Sequence, residues 1–244
     1  MKPGDEYINS FNCPEDNCSN CSHKQSSVFC NTGKEQLDQI SEEKSCTQYK
    51  KGQIIFHEGM RSYGIYCISS GKIKISKNGD DGKEHIYRLA RPGDLVGYKA
   101  LLSDTRYSAS AIALEDTAVC FIPRDQFMSA LTKDNNLALD FMKLISLELG
   151  RAEQKVAHLA QKPVRERLAE ALLFVKETYG LDDDGQTLNV RLTRDEIANI
   201  VGTATESAIR LLSEFKKDKI IDLDGKRIKV LDFNRLIHTA NLQD

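Results

Sequence analysis

The stretch LTRDEIANIVGTATESAIRLLSEFKK, residues 192–217, holds two helix starts separated by one break. Thr193, followed three residues later by Glu196, has the pattern of a capping box, and Thr203 with Glu206 repeats it. Gly202 falls at the break. Ile197, Ile200 and Val201 recur at helical spacing, as do Ala208, Leu211, Leu212 and Phe215, so each short helix has one face to bury against the other. The second helix is left with Thr205, Glu206, Ile209 and Arg210 facing outward near its start, and Lys216 and Lys217 near its end. An arginine can donate two hydrogen bonds to guanine O6 and N7, a glutamate can accept from cytosine N4, and the major groove admits the helix that carries them. The pattern therefore predicts a DNA-reading helix-turn-helix, with Thr203 at its turn among the contacts. A plain helical hairpin would show the same periodicity. Against it stands the sequel, in which residues 220–223, the turn Asp224-Gly225 and residues 226–231 alternate like a two-stranded hairpin with basic residues on one side, a wing beside the helices.

The 244 residues are enough for two domains with cores of their own, and the formal net charge of -2 argues against a surface coated in basic charge. A local basic face is still compatible with that average. No apolar run is long enough to cross a bilayer, and the start MKPGDEYINSFN lacks the apolar segment of an export signal, so the expected location is cytoplasmic with no membrane partner.

Seven cysteines in such a compartment are not expected to form a disulfide framework. Four of them, Cys13, Cys18, Cys21 and Cys30, lie in the polar stretch CPEDNCSNCSHKQSSVFC. This segment, residues 1–33, has little apolar periodicity with which to order itself. A metal centre held by several thiolates would supply the missing folding energy. A CxxC pair such as Cys18 and Cys21 can place two thiolates on one metal, and zinc and an iron–sulfur cluster both accept them. Cys46 and Cys67 read as core residues. The five histidines show no metal-ligand spacing among themselves.

Residues 36–43 have the pattern of a short helix, after which residues 54–56, 64–69, 71–77, 84–90, 108–113 and 117–122 read as short strands broken by glycine and proline turns. Residues 34–133 are thus expected to form a β jelly roll or small barrel whose interior could take an effector. Over residues 134–161 the period lengthens. Ala138, Met142, Ile145, Leu149, Ala152, Val156 and Leu159 are spaced alternately by four and three, the rhythm of a coiled-coil seam, while Leu137, Phe141 and Leu144 form a second apolar face for the barrel. A helix with two such faces predicts a homodimer, and two recognition helices about 34 Å apart would reach successive major grooves of a palindromic duplex. Pro163 ends the seam, which puts the DNA-binding domain at residues 162–244. It opens with a helix over 165–179, followed by an acidic loop and a short strand over 188–192. The fold class is α+β.

This order resembles the Crp/Fnr family of bacterial transcription regulators. The resemblance covers nearly the whole chain and is most specific in YKKGQIIFHEG (49–59), YCISSGKIKI (66–75), RPGDLVGYKALL (91–102), ALEDTAVCFIP (113–123), KPVRERLAEALL (162–173) and the helix-turn-helix stretch. It implies that Glu206 and Arg210 are the base-contacting pair. Ile209 falls where Fnr-like members carry serine and Crp-like members glycine, which puts the family's G·C core in the half-site and an altered outer base beside it. Members that bind cyclic nucleotides carry a glutamate and an Arg-Ser or Arg-Thr pair where this chain has Tyr98 and Tyr107-Ser108, so cyclic AMP is not expected. Fnr-like oxygen sensors are similar in having an N-terminal cysteine cluster and one cysteine late in the barrel. That implies an iron–sulfur cluster, of the 4Fe-4S kind, on Cys18, Cys21, Cys30 and Cys120, with Cys13 as an alternate ligand. The spacing from Cys21 to Cys30 is longer than in the best-known members. Ala152 stands where those sensors carry an acidic seam residue, so dimerisation here should not depend on a cluster.

The expected function is a homodimeric, sequence-specific transcription regulator, not an enzyme, responding to oxygen, nitric oxide or redox state, with RNA polymerase as a partner. One alternative keeps the DNA function and makes the cysteines a zinc site or thiol switch, with an effector in the barrel. Another class, a small iron–sulfur redox protein, lacks an acid–base pair or a nucleotide-binding glycine loop to support it.

Overall fold

A computed structural model describes residues 17–80 and 82–241; Cys13 lies outside them. Two 3-10 turns, Cys18–Asn20 and Lys24–Ser26, precede helix α1 (Lys34–Glu43). The jelly roll follows as two four-stranded sheets. One has the order β1 (Ser45–Tyr49), β8 (Thr117–Pro123), β3 (Gly64–Ser70), β6 (Leu95–Val96), and the other β2 (Ile54–Phe56), β7 (Ser110–Ala113), β4 (Ile73–Asn78), β5 (Glu84–Ala90). The sheets close on Phe56, Ile68, Ile73, Ile75, Val96 and Val119. Gly71 makes the turn from β3 to β4 with φ +86, and a Cβ there would lie 2.6 Å from the Asp116 carbonyl oxygen.

Within residues 34–133, four elements add to the expected set, and α8 (Phe233–Ala240) adds a fifth near the end of the chain. Strands β1 and β6 are short and polar or brief. Helix α3 (Arg124–Lys133) follows directly on a strand and α2 (Tyr98–Leu102) after Gly97 alone, so a period-two pattern runs into a period-3.6 one with little or nothing between them. The expected strand at 188–192 is reduced to isolated bridges, Leu181 with Leu188 and Thr187 with Lys229. The acidic loop leaves that segment pairing with the wing instead of a sheet of its own.

Helix α4 (Asn135–Gln161) is capped by Asp134, whose carboxylate accepts from the backbone N–H of Asn136 and Leu137. Its two apolar faces separate as expected. Leu137 and Phe141 are buried with Leu37, Ile65, Tyr98, Ile122 and Phe127 beneath the first sheet. The seam residues face away, with Met142, Leu149 and Val156 all more than half exposed.

The last third comprises α5 (Val164–Tyr179), α6 (Arg194–Val201), α7 (Thr205–Lys217), the hairpin β9 (Ile221–Asp224) and β10 (Arg227–Val230), and α8 (Phe233–Ala240). Its core of Leu168, Leu172, Ile197, Leu212 and Phe215 is continuous with Ile86, Leu89 and Leu114 of the roll, so the two parts share one apolar interface.

Candidate nucleic-acid interface and cysteine site

The first cap forms as read: Thr193 Oγ1 accepts from Glu196 N at 3.1 Å and Glu196 Oε2 accepts from Thr193 N at 2.8 Å. The second does not. Ala204 is the N-cap of α7 and makes no side-chain cap, because Gly202 in the left-handed region (φ +71) brings Thr203 N back to Ala198 O and starts the helix one residue later. Thr205 Oγ1 instead donates to Asp195 Oδ1 at 2.8 Å, tying the two helices together. Ile197, Ile200 and Val201 of α6 and Ala208, Leu211, Leu212 and Phe215 of α7 are buried together. This turns Glu206, Ile209 and Arg210 to solvent, along with Lys216 and Lys217. Lys216 is engaged with Asp222 at 2.8 Å; Lys217 is exposed at the end of the helix. The wing sits beside the helices, and Arg194 NH2 donates to Gly225 O at its tip at 2.9 Å.

Three ties fix where the helix-turn-helix stands on the rest of the chain, and none was apparent from the sequence. Arg167 donates to the carbonyls of Lys162 at 2.8 Å and Val201 at 3.2 Å, joining the linker after α4 to the helix-turn-helix break. Lys74, on β4 and 8% exposed, pairs with Glu84 at 3.0 Å and Glu196 at 3.3 Å. Asn199 donates to Glu84 at 3.1 Å. Burial pushes the Glu84 carboxyl up, but hydrogen bonds from Ser76, Lys74 and Asn199 outweigh it and hold it below its ordinary value.

The barrel interior is closed by aromatic rings. Phe56 and Tyr107 stack with centroids 4.1 Å apart, and the cavity beside them, bordered by Tyr87, Arg88, Tyr98 and Ser108, measures about 40 Å³. A drug-sized ligand needs roughly 300 Å³ or more. Burial pushes the Tyr98 and Tyr107 hydroxyls up, so both stay neutral. Among the described residues the buried Tyr98 hydroxyl has no hydrogen-bond partner, and Arg88 is engaged by Glu148 of α4 at 3.3 Å. These residues do not fit a cyclic nucleotide, which would need space and a cation for its phosphate.

The cysteine segment is ordered over residues 17–33 by side chains rather than by periodicity, correcting the expectation of a segment with few means of ordering itself. Cys18 N donates to Ser41 Oγ at 2.8 Å, Gly33 N to Asp134 Oδ2 at 2.8 Å, and Asn31 Nδ2 to Asp140 Oδ2 at 2.7 Å. Phe29 is buried against the first sheet. The last two bonds join the segment to the cap and first turns of α4. Cys120 is buried on β8, in register with Cys46 of β1 on one side and Cys67 of β3 on the other. The sulfurs of Cys46 and Cys120 lie 3.1 Å apart. Cys18 and Cys67 pack against the same core, half-buried rather than enclosed. The donor chemistry, soft thiols gathered near Cys120, suits zinc or an iron–sulfur cluster. The expected set of Cys18, Cys21, Cys30 and Cys120 is not assembled as folded, for no group of three or more His, Cys, Asp and Glu among the described residues is placed to hold a metal ion. Among the described residues no helix is long and apolar enough to cross a membrane.

A family model described as the cyclic nucleotide-binding domain matches residues 46–134, and one described as the Crp-like helix-turn-helix domain matches residues 166–239. The chain is similar to the fumarate and nitrate reduction regulatory protein of Vibrio cholerae, 31% identical over 99% of this chain and 96% of that protein. It is also similar to the transcriptional activator protein anr of Pseudomonas aeruginosa, 28% identical over 94% of this chain and 95% of that one. Among solved structures, FixK2 from Bradyrhizobium japonicum superposes with a TM-score of 0.74 over 82% of this chain and 99% of that chain, at 24% identity, a likeness of fold.

Proposed function

The chain belongs to the Crp/Fnr family of transcription regulators, as a DNA-binding regulator and not an enzyme, and from that premise we propose how it reads DNA and what it senses. As a cytoplasmic homodimer joined along α4, it reads a palindromic duplex through Glu206, Ile209 and Arg210, with Thr203 and Thr205 at the start of α7 and Lys216 and Lys217 on the phosphates. The observation that carries this is the single outward face of α7, where Arg210 and Glu206 are exposed while every apolar residue except Ile209 is buried. Ile209, 44% exposed between them, offers an apolar contact for a thymine methyl. Arg210→Ala tests it: specific binding should fall by about 1–3 kcal/mol with little change on unrelated duplexes, and unchanged specific binding removes α7 from the role.

The functional division is the cysteine segment 1–33, the roll 34–133, the dimer helix 134–161 and the DNA-binding domain 162–244. The cysteine segment senses oxygen, nitric oxide or redox state. The bonds from Asn31 and Gly33 to Asp140 and Asp134 support this, because a change in the segment reaches the helix that sets the spacing of two DNA-binding domains. An iron–sulfur cluster on Cys18, Cys21, Cys30 and Cys120 would supply a redox-labile tie between segment and roll. The residues on the chain's side hold and release: Asp134 keeps α4 capped while Gly33 is docked, and Arg167 passes the position of the end of α4 to the helix-turn-helix break. RNA polymerase is the downstream partner.

The pairing of Cys67 with Cys120 in register on neighbouring strands favours a second reading, a zinc site or thiol switch with the same DNA function. Anaerobic purification followed by iron, sulfide and zinc analysis with an absorption spectrum separates the two. Iron and sulfide with visible absorption support the cluster, and a colourless protein with stoichiometric zinc rejects it.

A further inference from the structure

Arg210 is not free to sweep the solvent. Its NH1 donates to Glu214 Oε1, one helical turn onward, at 2.8 Å. An exposed pair of this kind holds little by itself, because water screens it and two side chains must be ordered to make it. Glu214, however, is held from the other side. Arg165 of α5 donates from NH1 to Glu214 Oε2 at 3.0 Å and from NH2 to Asp218 Oδ2 at 2.7 Å. The Arg165 guanidinium also lies 4.8 Å from the centroid of the Phe215 ring, which is fully buried in the core of the helix-turn-helix. The carboxylate of Glu214 is therefore bridged between two arginines, one anchored on the core and one exposed on the face of α7.

We propose that Glu214 is the positioning residue for base readout by Arg210, with Arg165 as its anchor. The inference rests on the reading of α7 as the recognition helix and deepens it. With NH1 committed to Glu214, the Nε and NH2 edge of Arg210 makes no other hydrogen bond among the described residues and keeps two donors side by side. That is the arrangement that meets O6 and N7 of one guanine. A side chain already fixed in its rotamer loses less freedom on binding than one that must be ordered at the moment of contact. Glu214 is also a negative charge beside a surface that approaches phosphates, so as a mere surface residue it would weaken binding to every sequence alike. The two roles have opposite signatures.

The test uses full-length protein, a duplex that the wild type selects from a random pool, and a scrambled duplex of equal length, with affinities read by fluorescence anisotropy at fixed salt. Glu214→Ala should tighten binding to the scrambled duplex while failing to tighten the selected one, so that the ratio of the two affinities falls by about tenfold. Glu214→Gln, which keeps an oxygen acceptor for Arg210, should retain most of the ratio, and Arg165→Met should lower it in the same direction as Glu214→Ala. An unchanged ratio in Glu214→Ala, with both affinities raised together, overturns the proposal provided Arg210→Ala lowers the ratio in the same assay. If Arg210→Ala also leaves the ratio unchanged, the assignment of α7 fails first and the proposal with it. Thermal unfolding of each variant identifies any that has lost its fold, and Glu214→Gln, the mildest change, then decides.

Discussion

Lys74 Nζ lies 3.3 Å from Glu196 Oε1, and the other oxygen of the same carboxylate closes the capping box of α6 by accepting from Thr193 N at 2.8 Å. One side chain thus starts the first helix of the DNA-binding motif and receives a buried lysine from the β roll. The neighbour of Lys74 on β4, Ile75, borders the barrel cavity. A shift of β4 is consequently felt at the N-terminus of α6. Removing the lysine should be costly, since Glu84 and Glu196 would then face each other without a cation. Lys74→Met is expected to lower stability by about 3–5 kcal/mol, read as a fall in the urea midpoint. A midpoint within error of the wild type would mean that water already screens the pair.

A second tie, from α4 to β5 of the roll, has its own pH signature. Lys155 of α4 donates to the carbonyls of Ile86 at 3.2 Å and Tyr87 at 3.4 Å, and burial lowers its pKa to about 8, with Glu170 opposing. Unfolded, a lysine releases its proton near 10.5. Between these values the unfolded chain binds more protons than the folded one, so stability should rise with pH across that window and level off above it. The difference in urea midpoint between wild type and Lys155→Met, followed from pH 7 to pH 11, should show the rise (values of order ~8 to ~10.5 bound it). A difference that stays flat would show that the two carbonyls solvate the ammonium fully.

Gly202 carries a steric constraint in addition to its dihedral. It has φ +71, and a Cβ would stand 3.1 Å from Leu159 Cδ2, at the end of α4. Gly202→Ala therefore meets both a strained backbone and a neighbour that must move, and is expected to cost roughly 1–2 kcal/mol. The more telling readout is DNA affinity, which should drop further than stability alone accounts for, because Leu159 and the break would be pushed apart. Normal affinity in a fully folded variant would leave Gly202 a turn residue and nothing more.

What could be read from the residues follows the range of the interactions. The helix-turn-helix faces, the strands at 54–56 and 84–90 and the two faces of α4 are periodic within one element, and periodicity is a local property. Gly202 was visible because only the left-handed region fits a break that tight. The second cap at Thr203 misled because pattern alone does not say which residue leaves the helix, and Ala204 does. Helices α2 and α3 were hidden where strand and helix patterns abut. Lys74 with Glu196, Arg165 with Glu214 and the row of Cys46, Cys120 and Cys67 join residues far apart in sequence. Nothing in a residue's immediate neighbours announces such a partner. The cysteine segment shows the same limit, since its order comes from Ser41, Asp134 and Asp140, all outside it.

On the proposed reading, the seam of α4 would separate assembly from sensing. Met142, Leu149 and Val156 are more than half exposed on a face that carries no acidic residue at Ala152. The proposed function then predicts that two such faces pair whatever the state of the cysteines, with orientation of the DNA-binding domains, through Asp134 and Arg167, as the controlled step. Ala152→Asp tests this by placing a carboxylate on each helix where two copies meet. Facing like charges at a protein surface repel by roughly 1–4 kcal/mol at about 4 Å. The variant's dimer dissociation constant, measured by sedimentation equilibrium, should rise about tenfold or more, and more at low salt than at high salt. The wild type should sediment as a dimer under both anaerobic and oxidising conditions. A wild type that dissociates on oxidation would restore assembly as the switch, and an Ala152→Asp variant that dimerises normally would place the contact on another face of α4.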